Sequence, residues 1–199
     1  RQAVTLGPGA NEPVNDTDAD PTNPAGEALD AQSNRTVDFG FYRGQLGNLV
    51  YMDANANGTY DAGDTLLAGA TVQLFASDGT TEINVGPDGI LGTADDAAGG
   101  VTTGAGGTYQ FNGLPAGDYV VRVTPPTGYV SAVDTFNAAD TTNPNTNADN
   151  NDNGVGTAGG AVSSNVVTLV PGSAGALTNN TVTNATGTTY DPTLDFGFT

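Results

Sequence analysis

Apolar and polar residues alternate along this chain in short runs, broken every few positions by Gly, Asn, Asp or Pro. Tyr109 and Phe111, then Tyr119, Val121 and Val123, occupy every second position of two such runs, the period of a strand with one buried face. The same reading predicts strands over Leu46–Met52, Ala70–Phe75, Thr108–Phe111, Asp118–Val123, Tyr129–Val130, Val162–Leu169 and Leu194–Phe198. Thr81–Val85 is the expected hairpin partner of Ala70–Phe75 across the Ser77-Asp78-Gly79 turn. Gly113–Asp118 is the turn between the two aromatic runs. No long stretch keeps a period of 3.6, so the pattern predicts an all-β fold with many loops.

The pattern also repeats itself. Val4-Thr5-Leu6-Gly7-Pro8-Gly9 returns as Val167-Thr168-Leu169-Val170-Pro171-Gly172, and Val37-Asp38-Phe39-Gly40-Phe41 returns as Leu194-Asp195-Phe196-Gly197-Phe198. The period is about 160 residues. Residues 1–43 therefore read as the closing strands of one unit and 44–199 as the next whole unit. Two strands alone cannot bury a sheet face. Either the leading segment belongs to a preceding repeat, or it is a donor-strand tail that adds to the sheet edge of another copy, a head-to-tail contact that generates filaments.

Charge changes the picture. Against 22 acidic residues stand only four basic ones, Arg1, Arg35, Arg43 and Arg122, for a net charge of −18. That balance works against nucleic acid or an anionic membrane surface as partner and favours divalent cations. No stretch is apolar and long enough to insert in a membrane. The chain has no cysteine, so no disulfide can staple it.

The acids gather in three places. Asp53, Asn55, Asn57, Thr59, Asp61 and Asp64 stand at positions one, three, five, seven, nine and twelve of a loop whose sixth residue is Gly58. This is the ligand spacing of an EF-hand-like Ca2+ loop, with Thr59 contributing its backbone carbonyl and the shorter Asp64 replacing the usual Glu. Strands rather than helices flank it, so a calcium loop set into a β domain is expected. A second cluster holds Asp88, Asp95 and Asp96, and a third holds Asp149, Asn151 and Asp152. Each reads either as a further cation site or as a turn-rich loop, since Asn, Asp and Gly populate turns for their own reasons.

The run from Gly47 to Asp64, then Gly69–Leu74, then Gly107–Tyr119 with its Gly-Leu-Pro-Ala-Gly-Asp-Tyr turn, resembles the B-type repeats of serine-aspartate repeat surface proteins, in the collagen-adhesin B-type superfamily. The resemblance implies a prealbumin- or Ig-like β-sandwich with long loops in a secreted or wall-displayed stalk, each unit rigidified by Ca2+ held on the six loop positions named above. It also implies adhesion or assembly as the task, with other copies of the chain as partners in a tandem or polymeric fibre. The alternative is an adhesin domain that takes a host or neighbour-cell surface ligand, protein or glycan, through its long loops. Relatives in the wider superfamily cross-link through a Lys–Asn isopeptide bond, which a chain without lysine cannot form. The absence of His, Cys and Lys removes most nucleophile–base pairs, so no enzyme is expected.

Overall fold

The computed structural model describes residues 43–132, 144, 149–155, 160–169, 182–183, 189–191 and 193–199. The expected leading strands, Val4–Leu6 and Val37–Phe41, and most of the polar segment 134–148 lie outside the described residues. Apart from a 3-10 position at Pro144, the regular elements among the described residues are strands: β1 (Gly44–Leu46), β2 (Val50–Met52), β3 (Thr65–Leu66), β4 (Thr71–Ala76), β5 (Val101–Thr102), β6 (Phe111–Leu114), β7 (Gly117–Thr124), β8 (Val162–Ser163), β9 (Val167–Leu169), β10 (Val182–Thr183), β11 (Thr189–Asp191) and β12 (Phe196–Phe198).

They form three sheets, ordered β10-β11-β1-β6, β12-β2-β3, and β5-β4-β7-β8 with β9 also on β7. The longest ladder joins β4 to β7 antiparallel, from Thr71 opposite Thr124 to Ala76 opposite Tyr119. Its alternation is the one in the sequence: Val72, Leu74, Tyr119, Val121 and Val123 are buried, and Gln73 and Arg122 are half-buried. Residues from all three sheets meet in one apolar core, among them Leu46 and Phe111, Val50 and Phe196, and Val72, Leu74 and Val121. The fold is an all-β sandwich.

Several expectations are corrected. Thr108–Phe111 contributes only Phe111 to a strand, β6, and Val162–Leu169 is two strands, β8 and β9. Leu46–Met52 is not one strand: β1 ends at Leu46, β2 begins at Val50, and the two belong to different sheets. The crossing runs over Gly47, where an added Cβ would sit 2.6 Å from the Tyr109 carbonyl, so only glycine lets the backbones approach. Tyr129–Val130 forms no strand; Val130 instead exchanges two backbone hydrogen bonds with Thr199. Thr81–Val85 pairs antiparallel with β4 as expected but over one bridge, Glu82 to Phe75, made by the Ala76 N–H donating to the Thr81 carbonyl and the Ile83 N–H to the Leu74 carbonyl.

β12 closes the domain. It lies parallel to β2, Phe196 opposite Val50 and Phe198 opposite Met52, and Leu194, Phe196 and Phe198 are fully buried. Gly197 faces Tyr51, and a Cβ there would meet the Tyr51 ring at 3.0 Å. The Asp-Phe-Gly-Phe run therefore combines two core aromatics with a glycine that makes room for a third.

Candidate metal centre

The loop 53–64 leaves the end of β2 and returns into β3. Its start is tied to the closing strand, because the Asp53 N–H donates to the Phe198 carbonyl at 2.7 Å. Gly58, at the sixth position, has φ 78°, and Ala56 has φ 55°; both are left-handed, as a sharp turn demands. Asp53 is 1% exposed, and its two carboxylate oxygens accept from the Asn57 N–H (3.3 Å) and the Gly58 N–H (2.7 Å). Asp64 closes the other end, its oxygens accepting from the Ala54 and Asp61 N–H groups at 2.9 and 2.8 Å.

Between these two closures three side chains converge. Asn55 and Asn57 each accept from the N–H two residues on, at Asn57 and Thr59, and these Asx turns hold both amides against Asp61. The two Nδ2 groups donate to the Asp61 carboxylate at 3.2 and 2.9 Å. Among the described residues no three His, Cys, Asp or Glu side chains gather as ligands. A cation in this loop would draw as much on amide and backbone oxygens as on carboxylates, which suits a hard ion of Ca2+ type.

The third cluster lies against the first. Asn151 bridges antiparallel to Thr59, with the Tyr60 N–H donating to the Asn150 carbonyl and the Asp152 N–H to the Gly58 carbonyl. In this register the Thr59 N–H and carbonyl point away from the 149–153 segment, because its neighbours make both bridge bonds. The Thr59 N–H accordingly reaches Asn57 Oδ1, and its carbonyl faces the same inner side of the loop. The backbone of Thr59 is thus held from outside the loop, by the two hydrogen bonds of its neighbours. The Thr59 hydroxyl is buried with no hydrogen-bond partner.

Behind this pairing lies a polar layer inside the protein. Asp152 and Asp195 are both fully buried and bridge in parallel. Asp152 Oδ1 accepts from the Gly154 and Gly197 N–H groups at 2.8 and 3.2 Å. Asp195 accepts from the Leu49 N–H at 3.0 Å and from the Asn150 N–H at 2.7 Å. Burial, and after it the carboxylates of Asp152, Asp53, Asp195 and Asp64, pushes the Tyr51 phenol well above its ordinary range. Tyr51 therefore feels acids from the loop, the 149–153 segment and the closing strand together. Both arginines of the described residues are engaged elsewhere: Arg43 donates to the Leu91 and Gly113 carbonyls, and Arg122 stacks on Phe75 at 4.1 Å and donates to the Gly79 carbonyl.

The second cluster stays apart. Asp88 accepts from the Ile90 N–H, Asp96 from the Gly92 and Thr93 N–H groups, and Asp95 from the Thr93 hydroxyl. Asp88 caps one turn, Asp95 and Asp96 share Thr93 in the next, and all three are exposed. Asp149 is exposed as well. Asp195 is the residue that pattern reading passed over. The usable signal was the internal repeat, since Asp38 holds the same place in the earlier Asp-Phe-Gly-Phe.

Comparison with known proteins finds the SdrD B-like domain over residues 44–149. Serine-aspartate repeat-containing protein F of Staphylococcus epidermidis is 35% identical over 98 residues, covering 48% of this chain and 5% of that protein. Serine-aspartate repeat-containing protein D of Staphylococcus aureus (strain Newman) is 33% identical over 126 residues, covering 62% of this chain and 8% of that protein. The chain thus spans less than a tenth of either relative. Among solved structures, the minor pilin of Streptococcus agalactiae matches with a TM-score of 0.36 and 28% identity, over 44% of this chain and 34% of that one.

Proposed function

The chain belongs to the SdrD B-like domain family, and from that membership we propose that it is a structural module in the stalk of an extracellular surface protein, stiffened by Ca2+ bound in the 53–64 loop. The observation that carries the calcium reading is the bridge from Thr59 to Asn151. It turns the Thr59 N–H and carbonyl away from the 149–153 segment, which supports a backbone oxygen being available to the loop, and it joins the loop to the segment bonded to the closing strand. An ion there restrains three pieces of chain far apart in sequence, which is what stiffness requires. Thermal melting in excess Ca2+ and in chelator tests it. The expected stabilisation is about 2.7 kcal/mol at free Ca2+ a hundredfold above its dissociation constant. Superimposable melting curves overturn the proposal.

Other copies or other repeats are the partners of such a module. The described unit supplies its own closing strand, with Leu194, Phe196 and Phe198 fully buried, so the place that Val37–Phe41 matches is already filled by the chain itself. That favours a tandem array over strand donation as the use of residues 1–43. Deleting 1–42, which keeps Arg43 on the Leu91 and Gly113 carbonyls, is expected to leave the remaining unit folded with unchanged melting. Sedimentation of the full chain and the truncation separates the two uses: monomer in both supports the tandem array, and polymer lost on truncation supports donation.

A further inference from the structure

We propose that Asp195, on the closing strand and outside the calcium loop, is a positioning residue for the cation site, acting through Asn150. The proposal rests on the calcium reading above and adds a residue and a route to it. Asp195 Oδ2 accepts the Asn150 N–H at 2.7 Å while Oδ1 accepts the Leu49 N–H at 3.0 Å. Its own backbone is clamped to Asn153: the Asp195 N–H donates to Asn153 Oδ1 at 2.9 Å, and the Asn153 N–H donates to the Asp195 carbonyl at 2.8 Å. Asn150 sits at φ 68°, a left-handed conformation that asparagine adopts far more readily than alanine or most L residues. Its carbonyl is the acceptor for the Tyr60 N–H, one of the two bonds that set the register of Thr59.

The route is therefore short and continuous. The Asp195 carboxylate holds Asn150, Asn150 holds Tyr60, and Tyr60 with Gly58 sets the backbone of Thr59 between them. The chemistry explains why a carboxylate stands there. Two N–H donors from different segments need two acceptor oxygens on one side chain, and an amide of the same shape offers only one. A neutral apolar residue would fill the space at lower desolvation cost but would leave the Leu49 and Asn150 donors without this acceptor.

The test uses the full chain. Ca2+ affinity is measured by calorimetry, and Tb3+ luminescence is excited through tyrosine, the chain having no tryptophan. Asp195→Asn is expected to weaken both ions about tenfold to a hundredfold, the range seen when groups that orient metal ligands are removed. Asn150→Ala and Asn150→Gly read the same route on a partly exposed residue, so that neither disturbs the core. Alanine is expected to weaken binding because it resists positive φ, and glycine to leave it close to wild type. In chelator, amide exchange at Tyr60 is expected to speed up in Asp195→Asn, a readout independent of any ion. Wild-type affinity in both Asp195→Asn and Asn150→Ala overturns the inference while leaving the calcium site standing. Lost affinity with unchanged Tyr60 exchange overturns it too, since Asp195 would then act on the ion directly. A wild-type chain that binds neither Ca2+ nor Tb3+ removes the calcium reading and this inference with it.

Discussion

Replacing Asp53 by alanine is expected to abolish Ca2+ binding and to destabilise the unit by about 2–4 kcal/mol even in chelator. The second effect follows from the geometry without an ion. The carboxylate is 1% exposed and accepts two backbone N–H groups, the shorter bond at 2.7 Å from Gly58, itself buried. Removing the acceptor strands that donor where water cannot replace it, at about 1–3 kcal/mol, and loosens the turn carrying Asn57. Asp53→Asn keeps one acceptor oxygen and is expected to lose roughly half as much. Urea denaturation in chelator gives the intrinsic loss, and the same experiment in Ca2+ adds the lost ion stabilisation. Wild-type stability in chelator, or a melting temperature that still climbs with Ca2+ in Asp53→Ala, contradicts the site as described.

How legible this was depended on whether the cause was local. The every-second-residue pattern in β7 reports one buried face, and Tyr119, Val121 and Val123 are buried as it requires. The tight turn within 53–64 was legible from Gly58, which takes the left-handed φ that a sharp turn demands. Hydropathy could not show that Leu46–Met52 breaks in two, since the break depends on how near the Tyr109 carbonyl comes to Gly47. It could not show the Tyr129–Val130 outcome either, where the partner is Thr199. The first and third acid clusters looked like separate sites because about ninety residues of chain divide them. Their union is set by the bridge of Thr59 to Asn151, a tertiary fact with no local signature. At the second cluster, Asp88 and Asp96 accept turn N–H groups and Asp95 accepts the Thr93 hydroxyl, contacts that spacing alone does not show.

If the closing strand and the cation loop are one mechanical unit, two core truncations of similar size should behave differently. Phe196→Ala removes a fully buried ring that stands near Tyr109, with centroids 6.3 Å apart, and flanks Asp195 in sequence. Its expected cost is about 3–5 kcal/mol, a large share of the roughly 5–15 kcal/mol that holds a domain folded. Leu74→Ala, in the β4–β7 ladder opposite Val121, is expected to cost about 2–5 kcal/mol by the same cavity argument. Leu74 lies on β4, in a different sheet from β12, so its cost should be equal in Ca2+ and in chelator, as for independent sites. Phe196→Ala lets the strand shift and with it Asp195, so part of the ion's stabilisation should vanish and the cost should be greater in Ca2+. Denaturant titrations of both variants under both conditions measure that difference. Equal costs for Phe196→Ala with and without Ca2+ mean that the ion stiffens the loop alone; a larger cost in Ca2+ means that it also holds the strand that closes the domain.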